Sequence, residues 1–169
     1  MELTIIFPVL NEKKRLESGI TRTVEYLQSI AYEDYEIIIV DNGSEDETPE
    51  IAGRLCEKYP RVRFEKINVR GVGAAFRRGV ELSSGEIVGY MDIDLSTNIK
   101  HLGEAIRIFR EKPEVEYING SRFANESDTK GRKWYRRITS SGLLILLKLF
   151  LGMKCTDAIC GFTFLRRQR

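Results

Sequence analysis

This 169-residue sequence lacks long apolar runs, cysteine pairs and a disorder-type composition. No apolar run reaches the ~18–20 residues that a membrane-spanning helix needs. The N-terminus, MELTIIFPVLNEKKR, places an acid ahead of a short apolar run and its basic cluster behind it, the reverse of a secretory signal. Cysteine is scarce: Cys56, Cys155 and Cys160 are odd in number and lack zinc-type spacing. They read as reduced thiols of a cytosolic compartment, and a disulfide scaffold is excluded. Histidine occurs once, at His101, outside every motif and at a position expected to be an exposed helical one. What is present is ordinary for a soluble globular domain, with 42% apolar and 31% charged residues.

The charge is unevenly placed. Net charge is +2, yet residues 130–169 hold ten Lys or Arg against a single acid, Asp157, which leaves residues 1–129 acidic. Such asymmetry points to an anionic partner at one end. The basic stretch surrounds an apolar segment, LLILLKLFLGM at 143–153, too short to span a bilayer and interrupted by Lys148. Flanked by Lys133, Arg136, Arg137 and Lys154, it suits either an interfacial helix or a core helix with solvated basic ends. Nucleic acid is disfavoured as the partner, because the rest of the chain is acidic and the basic segment is leucine-rich with few aromatics.

Short apolar runs alternate with helical spacing. Strands are expected at 3–7, 35–40, 63–69, 86–91 and 115–119. Helices are expected within 11–30, from Thr48-Pro49 onward with Thr48 as N-cap, and at 73–82 and 99–110. Residues 124–132 (ANESDTKGR) read as a loop. This alternation predicts an α/β fold, a mostly parallel sheet with helices on both faces. Ligands of such sheets sit at the carboxyl ends of the strands.

Polar residues gather at those ends: Pro8, Asn11 and Glu12 after the first strand, Asp41 after the second, Gly71, Gly73 and Ala74 after the third, Asp92 and Asp94 after the fourth. Two acids two residues apart are costly to bring together without a cation, and their oxygens suit Mg²⁺ or Mn²⁺. Taken alone, D-x-D reads as a solvated turn before it reads as a metal site. The segment G-V-G-A-A-F also begins like a dinucleotide fingerprint with Asp92 about twenty residues on. Phe76, however, occupies the third glycine position, and the segment follows the third strand. Its expected task is close approach of a helix start to an anion, or merely a tight turn.

Six segments in order resemble the family 2 glycosyltransferases of the GT-A fold, a Rossmann-like nucleotide-diphospho-sugar transferase architecture. They are F-P-V-L-N-E at 7–12, V-D-N-G-S-E-D-E-T at 40–48, N-V-R-G-V-G-A-A at 68–75, D-I-D-L-S at 92–96, G-S-R at 120–122 and D-A-I-C-G-F at 157–162. The likeness is nearest to the polyprenyl-phosphate (dolichyl-phosphate) mannose and glucose synthases. It implies one catalytic domain over 1–169, with 1–121 binding the nucleotide sugar and 122–169 facing acceptor and membrane. By the same resemblance Pro8, Asn11, Glu12, Asp41, Gly71, Gly73, Ala74 and Asp92 would bind the nucleotide sugar. Asp92 and Asp94, with Ser96 as a further polar ligand, would hold Mg²⁺ or Mn²⁺. Asp94, Asp157 and Arg122 would serve catalysis, and Arg136 and Arg137 would meet the acceptor phosphate.

The implied reaction is inverting, metal-dependent transfer of mannose or glucose from GDP-mannose or UDP-glucose to a polyprenyl phosphate lipid, by a protein peripheral on the cytosolic membrane face. A saccharide acceptor, with Asp157 as base, and an idle nucleotide-sugar-binding domain are the alternatives. Relatives usually continue past the position of Phe162 with another strand and helix, so the chain reads as a minimal form or a fragment. Asn42 stands where relatives commonly have a second acid, and Ile93 is bulkier than the usual alanine.

Overall fold

The computed structural model describes residues 1–120 and 160–167. Arg122, Arg136, Arg137, Asp157, Cys155, the expected loop at 124–132 and the apolar segment at 143–153 lie outside the described residues. The chain divides into two compact units, Met1–Ile118 with Phe162–Arg169, and Asn119–Gly161. The elements of the first unit build a six-stranded sheet.

In chain order the elements are β1 (Leu3–Val9), α1 (Leu16–Ser29), β2 (Tyr35–Asp41), α2 (Thr48–Lys58), β3 (Val62–Lys66), α3 (Val72–Leu82), β4 (Ile87–Met91), α4 (Lys100–Glu111), β5 (Tyr117–Asn119) and β6 (Phe162–Arg166). The sheet order is β3-β2-β1-β4-β6-β5. β1 runs parallel to both β2 and β4, and β2 runs parallel to β3. β6 is antiparallel to β4. The alternation of apolar runs and helical spacing is thus realised as a mostly parallel α/β sheet.

β1 and β2 are buried along nearly their whole length, because parallel strands are covered on both faces. On one face Ile6, Ile38, Val40 and Val88 pack with Ala75 of α3. Gly79 lets that helix close on β1: a Cβ there would lie 2.6 Å from Ile6 Cγ2. Phe76, whose bulk opposes the dinucleotide reading, packs beside the same cluster and meets Tyr90 edge to face at 6.0 Å. The opposite apolar set, Leu3, Ile5, Phe7, Ile37 and Ile39, is equally buried. α1 carries Leu16, Ile20, Val24 and Leu27 inward at helical spacing.

Three sequence expectations are corrected. Thr48 is the first residue of α2 and not its N-cap; Glu47 takes that position without a side-chain cap bond. Asp46 instead accepts from the Thr48 amide at 3.0 Å. The third strand ends at Lys66, three residues early, because the chain peels away toward α3 after Ile67 donates to Asp41 O. β6 was not foreseen; it is short, and its place is made by Gly89, where a Cβ would lie 1.9 Å from the Phe164 ring. His101 is exposed and bonded to Glu104, as expected of a surface helical residue. Among the described residues Cys56 is a free thiol, and no helix is long and apolar enough to cross a membrane.

Candidate functional site

The order in which strands are added reverses at β1. Elements step outward from β1 to β2 to β3, then α3 crosses back and β4 pairs on the other side of β1. At such a switch point the connections diverge from the carboxyl ends and leave a crevice. A cleft of about 310 Å³ lies there. Its walls come from Pro8, Val9, Leu10 and Glu12 after β1, Asn42 after β2, Gly71 and Val72 at the start of α3, and Asp92, Ile93 and Asp94 after β4. That volume is in the range of small-molecule sites. Five of the residues singled out from sequence, Pro8, Glu12, Gly71, Asp92 and Asp94, therefore line one cavity.

The loops after β1 and β2 are interlocked. Asn11 has a left-handed backbone (φ 56°), donates its amide to Ser44 Oγ at 2.8 Å and accepts from Glu45 N at 2.9 Å through Oδ1. Glu12 N donates to Thr48 Oγ1 at 2.8 Å, and Lys13 N to Asp46 Oδ2 at 3.3 Å. Desolvation raises the Asp46 carboxyl, but hydrogen bonds from Thr48 and Lys13 outweigh it and hold the group below the ordinary carboxylate range. Asn11 is thus placed beside the cleft with its side chain holding the loop of β2.

Asp41 is fully buried and accepts from Gly43 N at 3.2 Å and Ser44 N at 2.8 Å through Oδ1. Its Oδ2 and the Oδ1 of the next residue, Asn42, are buried without a hydrogen-bond partner among the described residues. A buried acceptor left unpaired carries a desolvation cost that a ligand's N–H or O–H donor would relieve. Asn42, the departure from the family pattern, is the one of the pair that lines the cleft.

The acidic turn after β4 is tightly specified. Leu95 N donates to Asp92 O at 3.0 Å with Leu95 in the left-handed region (φ 49°), and Ser96 N donates to Asp94 Oδ1 at 2.9 Å. The Tyr90 hydroxyl donates to Asp92 Oδ1. Ile93 is buried against α1 at Gly19, so its bulk anchors the turn. Each carboxylate keeps a second oxygen free of those bonds, and both acids line the cleft. Among the described residues no group of three or more His, Cys, Asp or Glu could hold a metal alone. Two hard carboxylates nevertheless fit Mg²⁺ or Mn²⁺, ions that usually complete their coordination with water and phosphate oxygens. Ser96 contributes its amide to the turn.

Gly71 precedes α3 with φ 135°, a conformation that a side chain would strain, and it turns the helix start into the cleft. Gly73 and Ala74 follow in the first turn of α3 and are not part of the lining; the Ala74 amide donates to Gly71 O. Arg70 pairs with Glu45, tying this loop to the one after β2. Sequence reasoning missed Gly19, Tyr90 and Arg15. A glycine at an inward helical position was the only visible signal, and it concerned Gly19 alone.

The sequence profile of the family described as glycosyl transferase family 2 matches residues 4–168. Glycosyltransferase AglD of Haloferax volcanii is 34% identical over 99% of this chain and 27% of its own length. Mouse dolichyl-phosphate beta-glucosyltransferase is 31% identical over 99% of this chain and 55% of its own. The chain thus spans about half the length, or less, of these relatives. Glucosyl-3-phosphoglycerate synthase of Mycobacterium tuberculosis, solved with UDP, shares the fold at TM-score 0.70 and 20% identity over 98% of this chain and 56% of its own. Mannosyltransferase PcManGT of Pyrobaculum calidifontis, solved with GDP-Man and Mn²⁺, superposes at TM-score 0.56 and 25% identity over 69% of this chain and 34% of its own.

Proposed function

The chain belongs to glycosyl transferase family 2, and from that premise we propose that it moves mannose or glucose from a nucleoside-diphospho-sugar to a polyprenyl phosphate, with inversion, at the cytosolic membrane face. The observation that carries the reading is the convergence of Asp92, Asp94, Gly71 and Asn42 on one cleft at the sheet's switch point. Named relatives support the acceptor class, since the mouse protein is a dolichyl-phosphate glucosyltransferase. The PcManGT complex supports GDP-mannose with Mn²⁺, and the synthase complex shows a neighbour of the same fold binding UDP.

In this reading Asn42 receives a donor of the base or ribose on its Oδ1, and Asp41, buried behind it, is the acid proposed to reach the base or ribose once the ligand is seated. Gly71 brings the positive end of the α3 dipole to the anionic part of the donor. Asp92 and Asp94 would hold Mg²⁺ or Mn²⁺, which when bound neutralises charge on the leaving diphosphate. The Tyr90 hydroxyl keeps Asp92 in one rotamer, and Ser96 N does the same for Asp94. A lipid phosphate oxygen is already anionic, so the acceptor needs positioning more than it needs a base. Arg122, Arg136 and Arg137 are the proposed positioning cations, and the basic, leucine-rich 130–154 stretch is the proposed membrane-surface contact. Asp157 is the proposed acid near the reacting centre.

The test is transfer of label from radiolabelled GDP-mannose or UDP-glucose into the lipid extract with dolichyl phosphate and Mn²⁺. Lipid-borne label from one donor is expected. Label appearing only on added soluble saccharides would overturn the acceptor assignment.

A further inference from the structure

We propose that Arg15 is a resident counter-cation of the acidic end of the cleft, weakening its hold on a bare divalent ion. The inference rests on reading Asp92 and Asp94 as the metal-holding pair. Arg15 immediately precedes α1, and both its amide and that of Leu16 donate to Glu12 O at 2.9 Å, so the 12–15 turn fixes where the side chain starts. Its Nε and Nη2 donate to the two oxygens of Glu12 at 2.7 and 2.9 Å, the two-pronged arrangement that suits guanidinium and carboxylate. The remaining Nη1 lies 4.0 Å from Asp94 Oδ2, beyond hydrogen-bond reach but close enough for Coulomb attraction.

Two consequences follow. Glu12 lines the cleft with its charge matched by Arg15, which makes it a tether for the guanidinium. Asp94 gives Oδ1 to the Ser96 amide, so the oxygen left for a cation is the one that faces Arg15. A guanidinium keeps its proton at any working pH. To an ion approaching Asp94, Arg15 is therefore both a competitor for the carboxylate and a like charge. A nucleoside diphosphate entering with the ion would offset that repulsion, so the ion is held with the nucleotide and poorly without it.

The experiment is Mn²⁺ titration followed by electron paramagnetic resonance, without nucleotide, on the wild-type chain, Arg15→Gln and Arg15→Lys, with melting curves to verify folding. Arg15→Gln should bind Mn²⁺ about three- to tenfold tighter at low salt, the scale of one charge, partly offset by Glu12, acting on a divalent ion from beyond ~4 Å in a water-rich site. That gain should shrink as salt rises, and Arg15→Lys, which keeps the charge, should stay near wild type. Equal or weaker binding by Arg15→Gln, with the wild-type chain still binding Mn²⁺, overturns this inference alone. A Lys variant that tightens as much as the Gln variant overturns it too. Absence of Mn²⁺ binding in every protein overturns it together with the metal reading.

Discussion

Gly19 has no side chain, and the acidic turn depends on that. A Cβ at this position would lie 2.3 Å from the Ile93 carbonyl oxygen and 2.8 Å from its Cδ1. The first of these is backbone, which cannot swing aside. Gly19→Ala should push the 92–94 turn away from α1, lower stability by about 1–3 kcal/mol and weaken Mn²⁺-dependent donor binding; calorimetric titration with GDP-mannose or UDP-glucose checks this against the melting curve. Asp94→Asn separates chemistry from packing. An Asn Oδ1 still accepts from Ser96 N, so the turn and the melting temperature should persist. Loss of the carboxylate charge should cut metal-dependent transfer by on the order of a hundredfold or more, and near-normal transfer would refute the metal assignment. Asp92 and Asp94 were legible in the sequence because two acids directly after an apolar strand are electrostatically conspicuous. Arg15 and Tyr90 were not: their bonded partners Glu12 and Asp92 are near in sequence, but no pattern announces those bonds, and the approach of Arg15 to Asp94 is set by how the β4 turn packs on α1.

The strands at the other end of the sheet are joined through one buried acid. Glu36 of β2 accepts from Thr4 Oγ1 at 2.7 Å, from Ser84 N at 2.7 Å and Oγ at 2.8 Å, and from Arg63 at 3.2 Å, linking β1, β3 and the approach to β4. Desolvation raises its carboxyl, but those hydrogen bonds prevail and hold it below the ordinary value of 4.5. A carboxyl lowered in the folded state contributes stability above its unfolded pKa and loses it as pH falls through the folded one. Denaturant melts across pH should show wild-type stability falling below about pH 4.5. Glu36→Gln should be less stable by about 1–3 kcal/mol at neutral pH, with a smaller decline in acid. An unchanged acid limb would contradict the assignment. The parallel strands were legible as elements because runs such as YEIIIV are too apolar to face water on either side. β6 escaped because its five residues gain their meaning from Gly89, 73 or more positions earlier in the chain.

At the scale of the whole chain, an acidic part precedes a strongly basic stretch, and the family match runs through both. The order of the strands, 3-2-1-4, is what converts scattered motifs into one site. No single motif carries that information, but the strand–helix alternation does, since it forces the strand ends to a common edge. The central claim is that this edge binds a nucleoside-diphospho-sugar through a divalent cation. It is tested most directly by thermal unfolding of the chain with GDP-mannose, UDP-glucose or NAD, each with and without Mn²⁺. A ligand at a hundred times its dissociation constant adds about 2.7 kcal/mol, or roughly 5–10 °C for a domain of this size. The account predicts that shift for one nucleotide sugar and only with Mn²⁺; no shift from either sugar nucleotide, or a shift from NAD alone, would contradict it.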